Sequence, residues 1–293
     1  MANSTSNDNG RALEYALTQA LIRYYPTARI DEQTKHDQIR DLGKLKSLPD
    51  NVQAYFVKNT DYFVSKILPS RIGYDNEIIK LSRLTDTQGT RGDVTDIRLW
   101  LVDGYVYNIS LKHNHEAVKH PRPGSLIDQL GINNDLINKE YRNKVKAIEK
   151  DFYNNLLEGE TTFNVVKQRN PDIILNLYRN ICNNYINYLN KYRNCAEEYF
   201  SFIVGIYEFE KVIITRNKID ILNFYNIPRP TDMRAEIYNN SYIDVHFDNG
   251  ISFRSRLHTA SSRINLGRSI SLKFDTNILY DEENYINRCS IDL

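Results

Sequence analysis

Apolar residues recur at helical spacing over residues 11–23, at Leu13, Ala16, Leu17, Ala20 and Leu21, and Pro26 closes the pattern. This predicts a first amphipathic helix. Residues 52–68 repeat the pattern with Tyr55, Phe56, Tyr62, Phe63 and Ile67 on the apolar side, and Pro69 is expected to end it. The period then changes. Asp96-Ile-Arg-Leu-Trp-Leu-Val alternates in strand fashion, Asp103-Gly104 is a hairpin turn signal, and residues 105–112 read as the partner strand. Residues 171–195 return to helical spacing at Ile174, Leu177, Ile181, Tyr185, Tyr188 and Tyr192, whereas residues 199–215 are expected to be β-rich. Short strands follow at 241–247, 251–257 and 270–274, the first two joined at Asp248-Asn249-Gly250. Helix and sheet together predict an α/β or α+β fold.

Composition narrows the compartment and the charge argument. The start is polar and rich in Asn and Ser, without the basic-then-apolar order of a signal peptide, and no apolar run reaches the length of a membrane span. Three cysteines, Cys182, Cys195 and Cys289, stand far apart with no CxxC pair, which suits a reducing compartment and argues against a structural zinc. The chain is therefore expected to be cytoplasmic with no membrane partner. Its net charge is only +1, so a nucleic-acid partner would need basic residues gathered on one face.

Candidate chemistry gathers around the first hairpin. Gly92-Asp93-Val-Thr-Asp96 precedes one strand and Ser110-Leu-Lys112 ends the other, so a turn at Asp103-Gly104 brings Asp96 and Lys112 together. Phosphodiester cleavage needs hard oxygen ligands for Mg²⁺ and a cation near the attacking water. Asp93 and Asp96 are candidates for the metal, Lys112 for the cation, and Glu77 is a third acid that a preceding helix could present. Against this stands the plain alternative of a solvated hairpin, because Asp and Lys at such spacing are common.

Two basic stretches favour the functional reading. Residues 112–122 hold His113, Asn114, His115, Lys119, His120 and Arg122, read as contacts to DNA phosphate or base, with an HxH transition-metal site and ordinary surface as alternatives. Residues 251–274 carry Arg254, Arg256, Arg263, Arg268 and Lys273 with His258 and no acid. Alternation on strands could aim such side chains into a DNA groove, with Ser261 and its neighbours filling in hydrogen bonds. A solvated basic face is the alternative. The proline pair in Ile227-Pro-Arg-Pro divides the chain into an expected catalytic core, residues 1–226 with a helical insertion at about 124–200, and a β-rich recognition region, 227–293, which could belong to the same domain.

The chain resembles the HaeIII-type restriction endonucleases. The matching stretches are Ser6-Asn-Asp-Asn-Gly-Arg, Gly92-Asp-Val-Thr-Asp-Ile, Ile109-Ser-Leu-Lys-His-Asn-His, Ala117-Val-Lys-His with Arg122, Phe253-Arg, His258-Thr-Ala-Ser-Ser and Ser271-Leu-Lys-Phe-Asp. The resemblance implies a PD-(D/E)XK core, a central mixed sheet flanked by helices, that cuts double-stranded DNA at the palindrome GGCC with Mg²⁺. It puts Asp93 and Asp96 on the family's acidic pair and Lys112 on its lysine. Most PD-(D/E)XK nucleases carry an acid two residues before that lysine; this chain has Ser110, which leaves Asp93 or Glu77 to supply the second ligand. A palindromic target suits a homodimer, and a cognate DNA methyltransferase is expected as a functionally linked but unbound partner. The competing functions are a structure-specific or repair nuclease on the same core and a DNA-binding protein with a decayed active site.

Overall fold

The computed structural model describes residues 6–84, 92–279 and 286–293. They fold as two compact units. The first is built from Met1–Glu116, Gly205–Asn226 and Ile286–Leu293, the second from Ala117–Val204 and Ile227–Tyr285. One division falls at Ile227, beside the proline pair. The helical middle of the chain and the β-rich residues after 227 lie together in the second unit, and the final strand returns to the first.

The first unit is a seven-stranded mixed sheet in the order β1-β2-β3-β4-β5-β6-β11. Its strands are β1 (Arg29–Ile30), β2 (Ile78–Arg83), β3 (Ile97–Leu101), β4 (Val106–His113), β5 (Glu210–Ile214), β6 (Lys218–Asn223) and β11 (Arg288–Asp292). The expected hairpin is β3–β4, with Ile97 opposite Ile109 and Trp100 opposite Val106. Strand β5 then joins β4 in parallel, Lys112 opposite Ile213.

Helices α1 (Ser6–Tyr24), α2 (Glu32–Lys46) and α3 (Asp50–Tyr62) flank this sheet. The apolar stripe of α1 behaves as its spacing predicts: Leu13, Ala16, Leu17, Ala20 and Leu21 are all buried, in one core with Ile97, Leu99, Ile109 and Leu111 of the hairpin. Pro69 does not end the second helix. A π-helical turn at Phe63–Ile67 follows α3, and α4 (Leu68–Ile72) runs on from it with Pro69 near its start. Phe56 and Phe63 are buried, while Tyr62 is exposed, contrary to expectation.

The second unit has the sheet β10-β9-β8-β7, from β7 (Met233–Asn239), β8 (Tyr242–Phe247), β9 (Ser252–Thr259) and β10 (Leu272–Leu279). Its helices are α5 (Leu126–Gln129), α6 (Asp135–Asn154), α7 (Phe163–Arg169), α8 (Pro171–Lys191) and α9 (Ala196–Val204). The expectation of strand from residue 199 is corrected in its first half. Tyr199, Phe200, Ile203 and Val204 recur at helical spacing on α9 and are buried, and Phe200 meets Phe247 and Phe253 of the sheet. Tyr185 of α8 packs on Phe274 of β10. These aromatics cover one face of the sheet, and the polar residues that alternate with them occupy the other.

Candidate active site

At one end of the first sheet, the tip of β2, the start of β3 and the tip of β4 come together. Asp96 enters this edge through its backbone: its N–H donates to Ile109 O at 2.8 Å, and its carbonyl accepts from Leu84 N at 2.9 Å. Its carboxylate Oδ2 accepts from Leu111 N at 2.6 Å and Lys112 Nζ at 3.1 Å, with Ser110 Oγ at 3.5 Å. Asp96 and Lys112 thus converge as the hairpin predicts. Both side chains are about a quarter exposed, 23% each, so the pair sits at the surface rather than sealed in the core.

The acid beside them is Glu14, on α1. Arg83, at the tip of β2, donates to Glu14 Oε2 at 2.5 Å and to Asp41 Oδ2 at 2.9 Å. Burial pushes the Glu14 carboxyl up to about 7; the negative charge of Asp96 adds to the push, while Arg83 and Lys112 oppose it. Glu14 was missed in the sequence, although a signal exists. It interrupts the apolar face of α1 between Leu13 and Ala16, where a solvated glutamate has no reason to sit.

The two other expected ligands are held differently. Asp93 is buried and both its oxygens are engaged: Oδ1 accepts from the backbone and hydroxyl of Thr95, and Oδ2 from Arg98 Nη2 at 2.7 Å. Arg98 in turn donates to Asn108 and lies over the Tyr207 ring, so Asp93 fixes the approach to β3. Gly205 makes room for that approach at φ +96°, since a Cβ there would meet Val94 at 2.7 Å. Glu77 is exposed at the opposite end of β2, where its carbonyl accepts from Val102 N, a strand length or about 20 Å from the Asp96 end. The hairpin that joins Asp96 to Lys112 is what holds Glu77 away.

Ser110 lies opposite Lys211 in the β4–β5 register. Lys211 is almost wholly buried, and its Nζ donates to Glu116 O at 2.7 Å. Desolvation pulls its ammonium pKa well down, Lys112 pulls the same way, and Asp96 and Glu116 resist. Sequence reasoning missed this amine because it lies inside a strand of apolar neighbours. His113 faces Tyr55 OH at 2.5 Å and Phe56 edge-on, and burial lowers its pKa, which favours the neutral ring. Asn114 follows at φ +58° and contacts the His113 ring; His115 is exposed.

The remaining expected DNA contacts lie in the second unit. On the open face of its sheet, Arg254 binds Asp244 through two hydrogen bonds of 2.8 and 2.7 Å and stacks under Tyr238 at 3.3 Å. Arg256, two residues on, is exposed and directly opposite Asp275 in register. Asp275 receives His120 Nδ1 at 2.8 Å, His258 Nε2 at 2.7 Å and Lys273 Nζ at 3.6 Å. Burial works to raise the Asp275 carboxyl, yet the His258 imidazole, and after it His120 and Lys273, hold it below the usual range. Lys119 lies over the Phe202 ring, and Ser261 Oγ accepts from the N–H of exposed Arg263.

Among the described residues no group of three or more His, Cys, Asp or Glu is poised to hold a metal. That bears on the HxH alternative, because a transition-metal site needs such a set. It does not exclude a hard cation, which can be held through one or two carboxylates while keeping several waters. Among the described residues the side-chain hydrogen bonds of Asp96 all fall on Oδ2, and Glu14 is an acid close enough to feel the Asp96 charge. The donor set fits a hard divalent ion. No helix among the described residues is long and apolar enough to cross a membrane.

A profile of the HaeIII restriction endonuclease family matches residues 10–238, which include Glu14, Asp96, Ser110 and Lys112. Over 94% of its length the chain is 24% identical to the type II restriction enzyme HaeIII of Haemophilus aegyptius, of which the alignment also covers 94%. No solved structure matches the chain. The mixed sheet flanked by helices is consistent with the restriction-endonuclease-like fold, and the chain belongs to the HaeIII restriction endonuclease family, the type II site-specific deoxyribonucleases.

Proposed function

We propose that the chain cuts both strands of duplex DNA at GGCC with Mg²⁺, using the Asp96–Lys112 end of the first sheet. The observation that carries this reading is the meeting of Lys112 Nζ with the Asp96 carboxylate at the tips of β3 and β4, with Glu14 beside them. Asp96 and Glu14 would hold the metal, in place of the expected Asp93 and Glu77. When bound, such an ion would lower the pKa of a water ligand and stabilise the negative charge that builds up around the five-coordinate phosphorus.

The chain's own groups do the rest. Lys112 is placed to orient the attacking water and to offset negative charge that grows on the phosphate oxygens. Leu111 N–H and Ser110 hold the Asp96 carboxylate in one orientation, which limits its reorganisation during the reaction. Ser110 then needs no carboxylate, because Glu14 supplies the second acid from α1. Asp93 is a positioning residue that acts through Arg98 and the entry to β3.

Base reading falls to the open face of the second sheet. Arg256 is the guanidinium free to reach guanine O6 and N7, while Arg254 is held by Asp244 and shapes the surface around it. The palindrome is read by a homodimer, each copy taking one half-site, and a cognate methyltransferase protects the host site. Digestion of a sequenced plasmid with Mg²⁺ or with EDTA tests this: fragments ending at GGCC only with Mg²⁺ are expected. Discrete fragments ending at another sequence would overturn the specificity, and intact DNA with every divalent ion would overturn the chemistry.

A further inference from the structure

The second unit contains a cavity of about 320 Å³ that the cleavage chemistry does not use. One wall is a face of α6, where Arg142, Val145, Lys146 and Glu149 stand together because they are three and four residues apart. The opposite side is the turn Pro123–Ser125 with the preceding Arg122, and the segment Ser269–Leu272 that runs into β10 closes it.

The lining has the chemistry of an anion site. Arg122, Arg142 and Lys146 are exposed cations, and Ser125, Ser269 and Ser271 add hydroxyls. Glu149 does not cancel them freely: it is buried, its Oε1 accepts from Ile270 N at 3.0 Å, and desolvation raises its carboxyl toward the neutral form. Among the described residues the acid paired with this cationic side is Asp128, which meets Arg142 at 3.2 Å with both side chains about half exposed. A pair so hydrated is weak and yields to a better anion. No aromatic ring is among the described lining residues, so a base or a nicotinamide has nothing to stack on.

The sequence adds a second argument. The two basic stretches it singled out, residues 112–122 and 251–274, meet at this cavity: Arg122 comes from one and Ser269–Leu272 from the other. Helix α6 brings two further cations, Arg142 and Lys146, from outside both stretches. We propose that the cavity binds a phosphate group, specifically a backbone phosphodiester of the DNA substrate, with Arg122, Arg142 and Lys146 as its cations. The proposal rests on reading the chain as an enzyme that acts on duplex DNA. An anchor of this kind sets the protein's register on the duplex and carries no sequence information of its own.

The test measures binding of the full chain to labelled duplexes by fluorescence anisotropy, without divalent metal, over a salt series. Arg142→Gln, Lys146→Gln and the double variant are compared with wild type and with Lys167→Gln, an exposed lysine of α7 outside the cavity. Each single variant is expected to make the slope of log K against log salt shallower by about 1, equally on duplexes with and without the target sequence. Lys167→Gln is expected to leave it unchanged. Slopes for the cavity variants equal to that of Lys167→Gln would overturn the proposal. So would a rise in Tm with inorganic phosphate, lost in the double variant, if the DNA slopes stayed unchanged; the cavity would then serve a small phosphate compound. Failure of the wild-type chain to bind any duplex would instead overturn the DNA-cutting reading itself.

Discussion

Of the carboxylate–cation pairs that bridge antiparallel neighbours among the described residues, Asp244–Arg254 in the second sheet and Asp96–Lys112 in the first are built differently. Asp244 and Arg254 face each other in mid-strand, share two hydrogen bonds of 2.8 and 2.7 Å, and carry a tyrosine ring on top. Asp96 and Lys112 meet at the strand tips through one contact of 3.1 Å, with Leu111 N–H and Ser110 on the same oxygen. A bidentate, stacked guanidinium is locked and serves the fold. A lysine held by one contact at a hydrated edge can turn toward a water or phosphate, while the backbone keeps its acid in place. The same pairing rule thus yields a structural clamp in one sheet and, in the other, the edge proposed to carry the reaction.

The sharpest way to break this comparison is at Asp96. Asp96→Asn is expected to lower plasmid cleavage by about a thousandfold, and to weaken Mn²⁺ binding followed by calorimetry; retained cleavage and metal affinity would move the centre elsewhere. Next in size is the choice of second acid. Glu14→Gln is expected to reduce cleavage and metal affinity by about 10- to 100-fold, whereas Glu77→Gln, at the far end of β2, is expected to change neither. The reverse ranking would restore Glu77 as the ligand.

In the second sheet, Arg254→Ala is expected to destabilise the fold by about 2 to 3 kcal/mol in denaturant melts, since it leaves the buried Asp244 carboxylate unpaired. Arg256→Ala should leave stability unchanged and weaken binding to the target duplex by about 1 to 3 kcal/mol relative to other sequences. Equal effects of the two variants in both assays would erase the proposed division between clamp and reader.

The smallest effect concerns Lys211. Its folded-state pKa lies below the unfolded value of about 10.4, so unfolding takes up a proton at any pH between the two values. That contribution makes stability rise with pH, and it is present in full only above the unfolded pKa. Lys211→Met is therefore expected to reduce the slope of stability against pH in the range just below the unfolded pKa, by up to about 1.4 kcal/mol per pH unit. An unchanged slope would mean that Lys211 stays protonated in the fold.

What the sequence made legible was local. The β3–β4 hairpin follows from alternation and Asp103-Gly104, and the Asp96–Lys112 meeting follows from the hairpin. The stripe on α1 was equally clear. Residues 199–204 misled because Phe-Ile-Val-Gly-Ile reads as strand, while the burial of Tyr199, Phe200, Ile203 and Val204 makes it helix. The second acid left only a faint trace, its place on the apolar face of α1, and for a deeper reason. Glu14 lies in a different element from Asp96, and only tertiary packing of α1 on the sheet gives it a role. Arg254 and Arg256 look alike in sequence, and Asp244, on a neighbouring strand, is what separates them.

The measurement that reaches the centre of this account is cleavage and DNA binding taken together on Lys112→Ala. The expected result is cleavage reduced by about 10²- to 10⁴-fold with affinity for the target duplex unchanged. Cleavage at the wild-type rate would contradict the assignment of the chemistry to the Asp96–Lys112 edge.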